Sequence, residues 1–572
     1  MNFGASPRSK PGYRSVSSDV PNPAATLHER RLPFTLELAF AVAALAALIS
    51  IAGYFFYQRG NILWWGDAAA HLNISRRILD SQTPGYEQLG SPWLPVLHVI
   101  CIPFVLNDRL WTTGLAGTIP VAICFVIGGA FFYLAARETW GSRMAAAIAL
   151  ASLALNPNLL YLSSIPMTET VFFAELAAVL YAVVAFRRKQ SMWLVALAGV
   201  AMLLATLTRY DGWFLIPFTA LALMLPWNTK RSSIVLLLFL AIVSLGPVCW
   251  IAYNRYEFGD ALWFYTGPYS AKAIYQRALD AGLERYRGDH QWGYAFEYYF
   301  TAGLLCTGWL VTGTGAIGAA ASIWRYRRAL LPIGFLLLVP LFYVWGVYSS
   351  GQTMFVPQLW PFSYYNTRYG IAVLPVAAFA VGGLVLAIPP RWRLAAVAIP
   401  ITSALAWMIP FSPDRWVCWK ESQVNSVTRR AWTRSAAGFF RANYHPGDMV
   451  LAPFGDLTGI LCEASLPLKE SIHEGNGDEW LATLGRLDLY HRPKWAIAQE
   501  GDELSKAIDL ASWKREIYQP VLEIHSKDAP VLMIYRLTND SSVFHPAAPA
   551  RKVDTENPDP AVNKAVEIEE RG

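Results

Sequence analysis

Trp64-Trp65-Gly66-Asp67-Ala68-Ala69-Ala70-His71-Leu72 begins just past the first long apolar run of the chain, residues 34–57. That position puts Asp67 where a membrane helix meets water, a depth that tryptophan rings favour because they are amphipathic. If the residues after Gly66 are helical, Asp67 and His71 are four apart and share a face. A carboxylate and an imidazole at a membrane rim suit proton-transfer chemistry. They equally suit a helix cap and a solvated loop. The rest of the chain has to decide between the two.

Outward from this stretch the composition is that of a membrane protein. Of 572 residues, 54% are hydrophobic and 15% charged, whereas soluble domains carry roughly 25% charged residues. Mean hydropathy is +0.31. The net charge of +6 is no sign of nucleic acid, because the basic residues sit in short clusters between apolar runs. Six cysteines with no CxxC pair argue against a zinc site or a disulfide scaffold. Cys101, Cys124, Cys249 and Cys306 fall in or beside apolar segments and read as packing residues. Cys418 and Cys462 lie in the polar C-terminal part, where a disulfide has no support of its own.

Apolar runs recur at 34–57, 110–136, 143–162, 169–186, 191–208, 213–226, 232–253, 296–320, 329–348, 369–388 and 392–410. A span takes roughly 20 residues, so 213–226 is short. Residues 92–106 are shorter still and contain Pro95 and Pro103; they read as an interfacial or re-entrant helix. With the arginine-rich N-terminus in the cytoplasm, the inner connections are 137–143, Arg187-Arg188-Lys189, Lys230-Arg231, Arg325-Tyr326-Arg327-Arg328 and Arg391-Trp392-Arg393. Each is basic, as the positive-inside rule demands, and counting 92–106 as a span would break that agreement.

The reading is a multi-pass α-helical membrane protein with about eleven transmembrane helices over 33–411. A disordered cytoplasmic arm over 1–32 precedes it. A small extracytoplasmic α/β domain over 412–540 follows, then a disordered tail over 541–572. Within the α/β domain, 449–453, 495–498 and 531–535 read as strands, and 436–442 and 504–510 as helices.

The outer connections carry the chemistry-bearing residues. In Ile165-Pro166-Met167-Thr168-Glu169-Thr170, Glu169 opens an apolar helix, where an acid favours the macrodipole, and Glu175 lies further into the same span. In Thr208-Arg209-Tyr210-Asp211-Gly212-Trp213, Arg209 and Asp211 sit in so short a turn that an ion pair is the plain expectation; an anionic group at the membrane surface is the functional one. The loop 254–295 carries Arg255, Phe264-Tyr265-Thr266-Gly267-Pro268 and Lys272. Tyr364-Tyr365-Asn366-Thr367-Arg368-Tyr369 stands at the mouth of the tenth span. There Arg368 either snorkels from a helix end or grips a phosphate with its planar fork. Acids and cations delivered to one rim suit an enzyme with an anionic lipid substrate.

The sequence resembles the GT-C superfamily of polyprenyl-phosphate-sugar-dependent glycosyltransferases, nearest its protein O-mannosyltransferase-like and lipid A aminoarabinose transferase-like branches. The resemblance covers about residues 34–410. It rests on Gly66-Asp67 after span one, Ser91-Pro92-Trp93-Leu94-Pro95, Ala135-Ala136-Arg137 with Trp140-Gly141, and Glu169 at the fourth span. It implies Asp67 as the catalytic acid and Glu169 supporting the site; His71 is a catalytic candidate from its spacing alone, orienting Asp67 or lining the loop. It also implies outer-loop cations on the lipid phosphate, for which Lys272 and Arg368 are candidates by location; Arg209, Asp211 and Tyr365 join the candidate substrate site by their place at the same rim. Arg209-Tyr210-Asp211 departs from the Lys-Gly often seen after the family's fifth span.

The expected function is transfer of a sugar from a polyprenyl-phosphate donor to a lipid, glycan or protein acceptor hydroxyl on the extracytoplasmic face. Asp67 acts as base, and single displacement inverts the anomeric carbon. No cofactor is required; a divalent metal is compatible but not implied by any ligand spacing. The rival is a transporter or flippase of lipid-linked saccharides, which predicts mid-helix charges and pseudo-symmetric halves. In a third reading, a non-catalytic assembly protein, loss of Asp67 is harmless.

Overall fold

Thr168–Lys189 is the helix around which the others are laid, buried along nearly its whole length. Its Phe, Ala, Val and Leu residues occupy every face, the pattern of a helix surrounded by protein. The computed structural model describes residues 34–225, 229–455, 457–487, 493–512, 517–527, 529–538 and 550–555. The expected arm over 1–32 and most of the expected tail over 541–572 lie outside the described residues.

Five more helices are long and apolar enough to cross a membrane: Thr35–Gln58, Leu115–Trp140, Ser232–Phe258, Arg327–Tyr348 and Thr367–Ala387. The other expected spans take different forms. Residues 296–320 divide between Trp292–Thr307 and Trp309–Arg325, which meet at 108°. The break falls at Gly308, whose φ of +84° L side chains rarely adopt. The end carbonyl of Cys306 accepts from Asn156 Nδ2 at 2.9 Å and Asn158 Nδ2 at 3.1 Å, and that of Thr307 from Asn156 at 3.3 Å. Apolar surroundings demand such satisfaction of broken backbone. Residues 143–162 form two helices, Arg143–Ala154 and Pro157–Leu162. Met192–Thr208 and Tyr210–Met224 are single shorter helices, and 392–410 runs from a 3₁₀ stretch, Pro390–Val397, into Ala398–Met408. Val96–Val105, ten residues long, stands where the interfacial helix is expected.

Close backbone approach joins Trp309–Arg325 to Val373–Ala387. A Cβ at Gly318 would collide with the carbonyl of Ala380. Small residues at such crossings let apolar helices gain dispersion contacts where burial from water offers none.

The two ends of the bundle differ in kind. Arg137 and Arg143 both pair with Glu37, at 3.1 and 2.8 Å, in the first turn of Phe34–Gln58. Arg188 pairs with Glu138 at 3.2 Å, and Arg328 donates to the carbonyl of Trp140 at 3.1 Å. Asp67 follows the far end of that first helix, and Glu169 opens the helix whose last turn holds Arg188. The basic clusters therefore gather at one end, and the acids singled out above at the other.

The C-terminal part contains a six-stranded mixed sheet: β1 (Val450–Leu451), β2 (Ser471–Ile472), β3 (Trp495–Gln499), β4 (Tyr518–His525), β5 (Leu532–Leu537) and β6 (Arg551–Asp554), in the order β2-β1-β3-β5-β4-β6. β1 is parallel to both neighbours, and β5 is antiparallel to β3 and β4. β6 falls in the stretch expected to be a disordered tail. It pairs in parallel with β4, Leu522 opposite Arg551. An edge strand offers its unpaired amides to any extended segment whatever its composition, so charge-rich sequence did not reveal it. Trp432 and Phe440 of the helix Val427–Asn443 pack with Val450, Ile497 and Ile534 of the sheet, and the same core continues into Leu72, Leu97 and Trp111. The α/β domain thus sits on the loop that carries Asp67. All six cysteines are free; Cys418 lies 3.9 Å from Cys306, not against Cys462.

Candidate active site

Asp67 lies in the first turn of Gly66–Arg77. The N-cap is Trp65, which offers no side-chain acceptor, so Asp67 is not the cap that loop position suggested. Its partner comes from 301 residues away: Arg368 Nη2 donates to Asp67 Oδ2 at 2.6 Å. The Nε of the same guanidinium meets Glu169 Oε1 at 3.1 Å, and its plane lies 4.2 Å over the ring of Trp65. The Arg368 and Glu169 side chains are 6% and 5% exposed, whereas that of Asp67 is 38% exposed. Asp67 is therefore the open edge of a buried cluster, and Arg368 is no snorkelling surface residue.

Arg209 forms the second half. Its Nε donates to Asp211 Oδ2 at 2.7 Å, its Nη1 to Thr168 Oγ1 at 2.8 Å and its Nη2 to Tyr343 Oη at 2.7 Å. Tyr343 Oη donates in turn to Asp211 at 3.0 Å. Arg209 Nη1 also stands 3.6 Å from Glu169 Oε1, so Glu169 joins the two arginines. The expected Arg209–Asp211 pair exists and is part of this network. Glu175 accepts from Thr208 Oγ1 at 2.7 Å and belongs to the packing of Thr168–Lys189 against Met192–Thr208.

Glu169, Arg209 and Tyr343 line a cleft whose other walls are apolar, among them Phe172, Phe173, Leu176, Leu336 and Val339. A polar, charged edge beside an apolar slot has the chemistry of an amphiphile's binding site.

Other expected residues are placed differently. His71 does not bond Asp67; its Nδ1 lies 2.8 Å from Nε2 of His98, beneath the ring of Trp93. Burial pushes its pKa down to about 4 despite the nearby Asp67 and Glu169 carboxylates. It is a neutral imidazole tied to a second one rather than a partner of Asp67. Lys272 is exposed, 5.5 Å over the ring of Tyr265, and forms no ion pair with the cluster among the described residues. Tyr365 lies beside the site, its backbone bridged to Phe355, and feels both Asp67 and Arg368.

Sequence reasoning missed Glu421. It lies in Val417–Val424, fully buried, and its two oxygens accept the backbone N–H groups of Thr367 at 3.2 Å and Arg368 at 3.0 Å. Burial pushes its pKa up to about 7, against the opposing pull of the Arg368 charge and those two amides. The available signal was an acid inside the aromatic run Trp416-Val417-Cys418-Trp419-Lys420-Glu421. Among the described residues, no group of three or more His, Cys, Asp or Glu side chains is arranged to hold a metal ion.

Residues 110–251 match the family model for dolichyl-phosphate-mannose-protein mannosyltransferase, a stretch that includes Glu169 and Arg209. The fold is similar to that of ArnT from Cupriavidus metallidurans, solved bound to undecaprenyl phosphate. The TM-score is 0.54 at 16% identity, over 88% of this chain and 99% of that one. No curated protein matches the sequence. The chain thus matches a mannosyltransferase family model over one segment and shares its overall fold with ArnT.

Proposed function

We propose that this protein is a membrane glycosyltransferase. It moves a sugar from a polyprenyl-phosphate donor to an acceptor hydroxyl on the extracytoplasmic face. The observation that carries the reading is the Arg368 guanidinium bridging Asp67 and Glu169 beside an apolar cleft edged by Glu169 and Arg209. The match to a mannosyltransferase family and the fold shared with an undecaprenyl-phosphate-bound transferase support it.

The isoprenoid chain occupies the apolar cleft, and its phosphate lies against Arg209 and Arg368. Guanidinium forks suit phosphate oxygens, and in a dry site such donors stabilise the charge that grows on the leaving group. Lys272, placed apart, is not assigned to this phosphate. In the resting protein Arg368 holds Asp67. An arriving phosphate competes for the guanidinium and frees Asp67, the exposed member of the cluster, to face the acceptor. Asp67 then takes the hydroxyl proton as the acceptor oxygen bonds to the anomeric carbon. The bond from that carbon to the phosphate oxygen breaks, the lipid phosphate leaves as an anion, and the centre inverts.

Reconstituted protein is assayed with polyprenyl-phosphate sugars, wild type beside Asp67→Asn. Loss of transfer by at least about a hundredfold is expected, the scale of a missing general base. Full transfer by folded Asp67→Asn would overturn the mechanism. Movement of the donor lipid across vesicles without transfer would favour a flippase.

A further inference from the structure

We propose that Glu421 is the positioning residue for Arg368, fixing from outside the helical bundle the backbone that aims the donor-binding guanidinium. The inference rests on the function proposed above.

The 3₁₀ turn Thr367–Ala372 starts without a cap of its own. Its N-cap, Asn366, sits at φ 54° and makes no capping bond; its Nδ2 donates away, to the carbonyl of Thr353 at 3.0 Å. The first N–H groups of a helical turn have no internal acceptor, and leaving them bare when buried costs on the order of 1–3 kcal/mol each. Thr367 and Arg368 are both buried. The missing acceptors come from 53 and 54 residues downstream, one Glu421 oxygen for each amide. A carboxylate across the start of a turn also meets the positive end of its dipole.

Glu421 is itself held on a fixed support. Cys418 N–H donates to Asn158 Oδ1 at 3.0 Å, and Ser422 Oγ lies 2.7 Å from Tyr161 Oη. Just beyond, Asn425 Nδ2 donates to the carbonyl of Tyr364 at 3.0 Å. Arg429 donates to the carbonyl of Trp64, and Arg430 lies 4.4 Å over the Trp64 ring. One segment therefore grips the chain on both sides of the Asp67–Arg368 pair. Among the described residues Glu421 bonds backbone amides only, so it acts through Arg368 and does not touch the reacting atoms.

The groups that feel Glu421 are Arg368 and Asp67 within the cluster, Tyr364 and Tyr365 from the preceding loop, and Cys418 on its own helix. Burial sets Glu421 to titrate near neutrality. Its protonation weakens the double acceptor, so the hold on Arg368 loosens as pH falls.

The test uses the full chain in detergent, with undecaprenyl phosphate as the binding probe and sugar transfer as the second readout. Glu421→Ala is expected to weaken lipid phosphate binding, and raise donor KM, by roughly tenfold or more, with acceptor KM unchanged. Glu421→Gln, which keeps one acceptor, is expected to fall between. It should also lose the weakening of lipid binding that wild type shows as pH drops through about 7. Wild-type affinity in a folded Glu421→Ala protein overturns the inference. If that variant does not fold, a wild-type pH profile in Glu421→Gln overturns it. Failure of wild type itself to bind the lipid phosphate or transfer sugar counts against the proposed function.

Discussion

Arg368 bridges two acids with one guanidinium, at 2.6 Å to Asp67 and 3.1 Å to Glu169, while lying over the face of Trp65. Lysine cannot reproduce this: an ammonium is a point charge without a fork and does not stack on an indole. Arg368→Lys is accordingly expected to lower transfer by about two orders of magnitude, with most of the loss in donor KM; steady-state kinetics at varied donor concentration check it. His71 makes a different prediction. Its folded pKa of about 4 lies below the ordinary value of 6.5. Between those values the unfolded chain binds the proton and the folded one does not, so its contribution to stability is present above pH 6.5 and is lost as pH falls through 4. His71→Gln should flatten the fall in thermal stability across that window while leaving transfer largely intact. If transfer collapses in a protein of unchanged stability, His71 belongs to the chemistry after all. At this scale the sequence showed which residue types reach the rim. That His71 turns to His98 and that Arg368 takes both acids are matters of side-chain packing, which spacing along a chain does not encode.

At the scale of elements, breaks matter as much as spans. Hydropathy reads 296–320 as one run because the bend at Gly308 lies within continuously apolar sequence. The signal for the bend sits elsewhere, in Asn156 and Asn158, whose amides satisfy the carbonyls of Cys306 and Thr307. Removing Asn156 leaves Thr307 without that donor in apolar surroundings. Asn156→Ala should destabilise the protein by about 1–3 kcal/mol, read as a lowered Tm in detergent. Gly318→Leu should do at least as much by forcing Trp309–Arg325 away from Ala380. The strands of the α/β domain were legible where short apolar strings alternate with turns, as at β3 and β5. β6 was not, because its place is set by the edge of β4 rather than by its own residues.

For the whole molecule, the separation of basic clusters from the acid–arginine cluster is a statement about the membrane. On the positive-inside rule we propose that the end bearing Arg137, Arg143, Arg188 and Arg328 faces the cytoplasm. In that proposal the cluster and the α/β domain face outward together. On a Cys249→Ser background, Leu79→Cys and Leu481→Cys, both at exposed positions, should react with an impermeant thiol reagent from outside. Arg188→Cys, also exposed, should react only after permeabilisation. Labelling of Leu79→Cys and Leu481→Cys from opposite sides would refute the topology and with it the extracytoplasmic site.

Hydropathy, the placement of arginines between apolar runs, and acids at helix starts are local properties, readable without contacts. They determined that the chain is a helical membrane protein with an appended α/β domain, and that Asp67, Glu169, Arg209 and Arg368 reach one rim. The tertiary structure decided what those residues do to one another. It joined Asp67 to Arg368 across 301 positions, brought Glu421 under the backbone of Arg368, left Lys272 apart, and gave Glu169 to both arginines. Burial is the reason these pairings could not be read in advance. Apolar surroundings oblige each charge and each bare amide to find a partner, but which partner it finds depends on how distant segments pack.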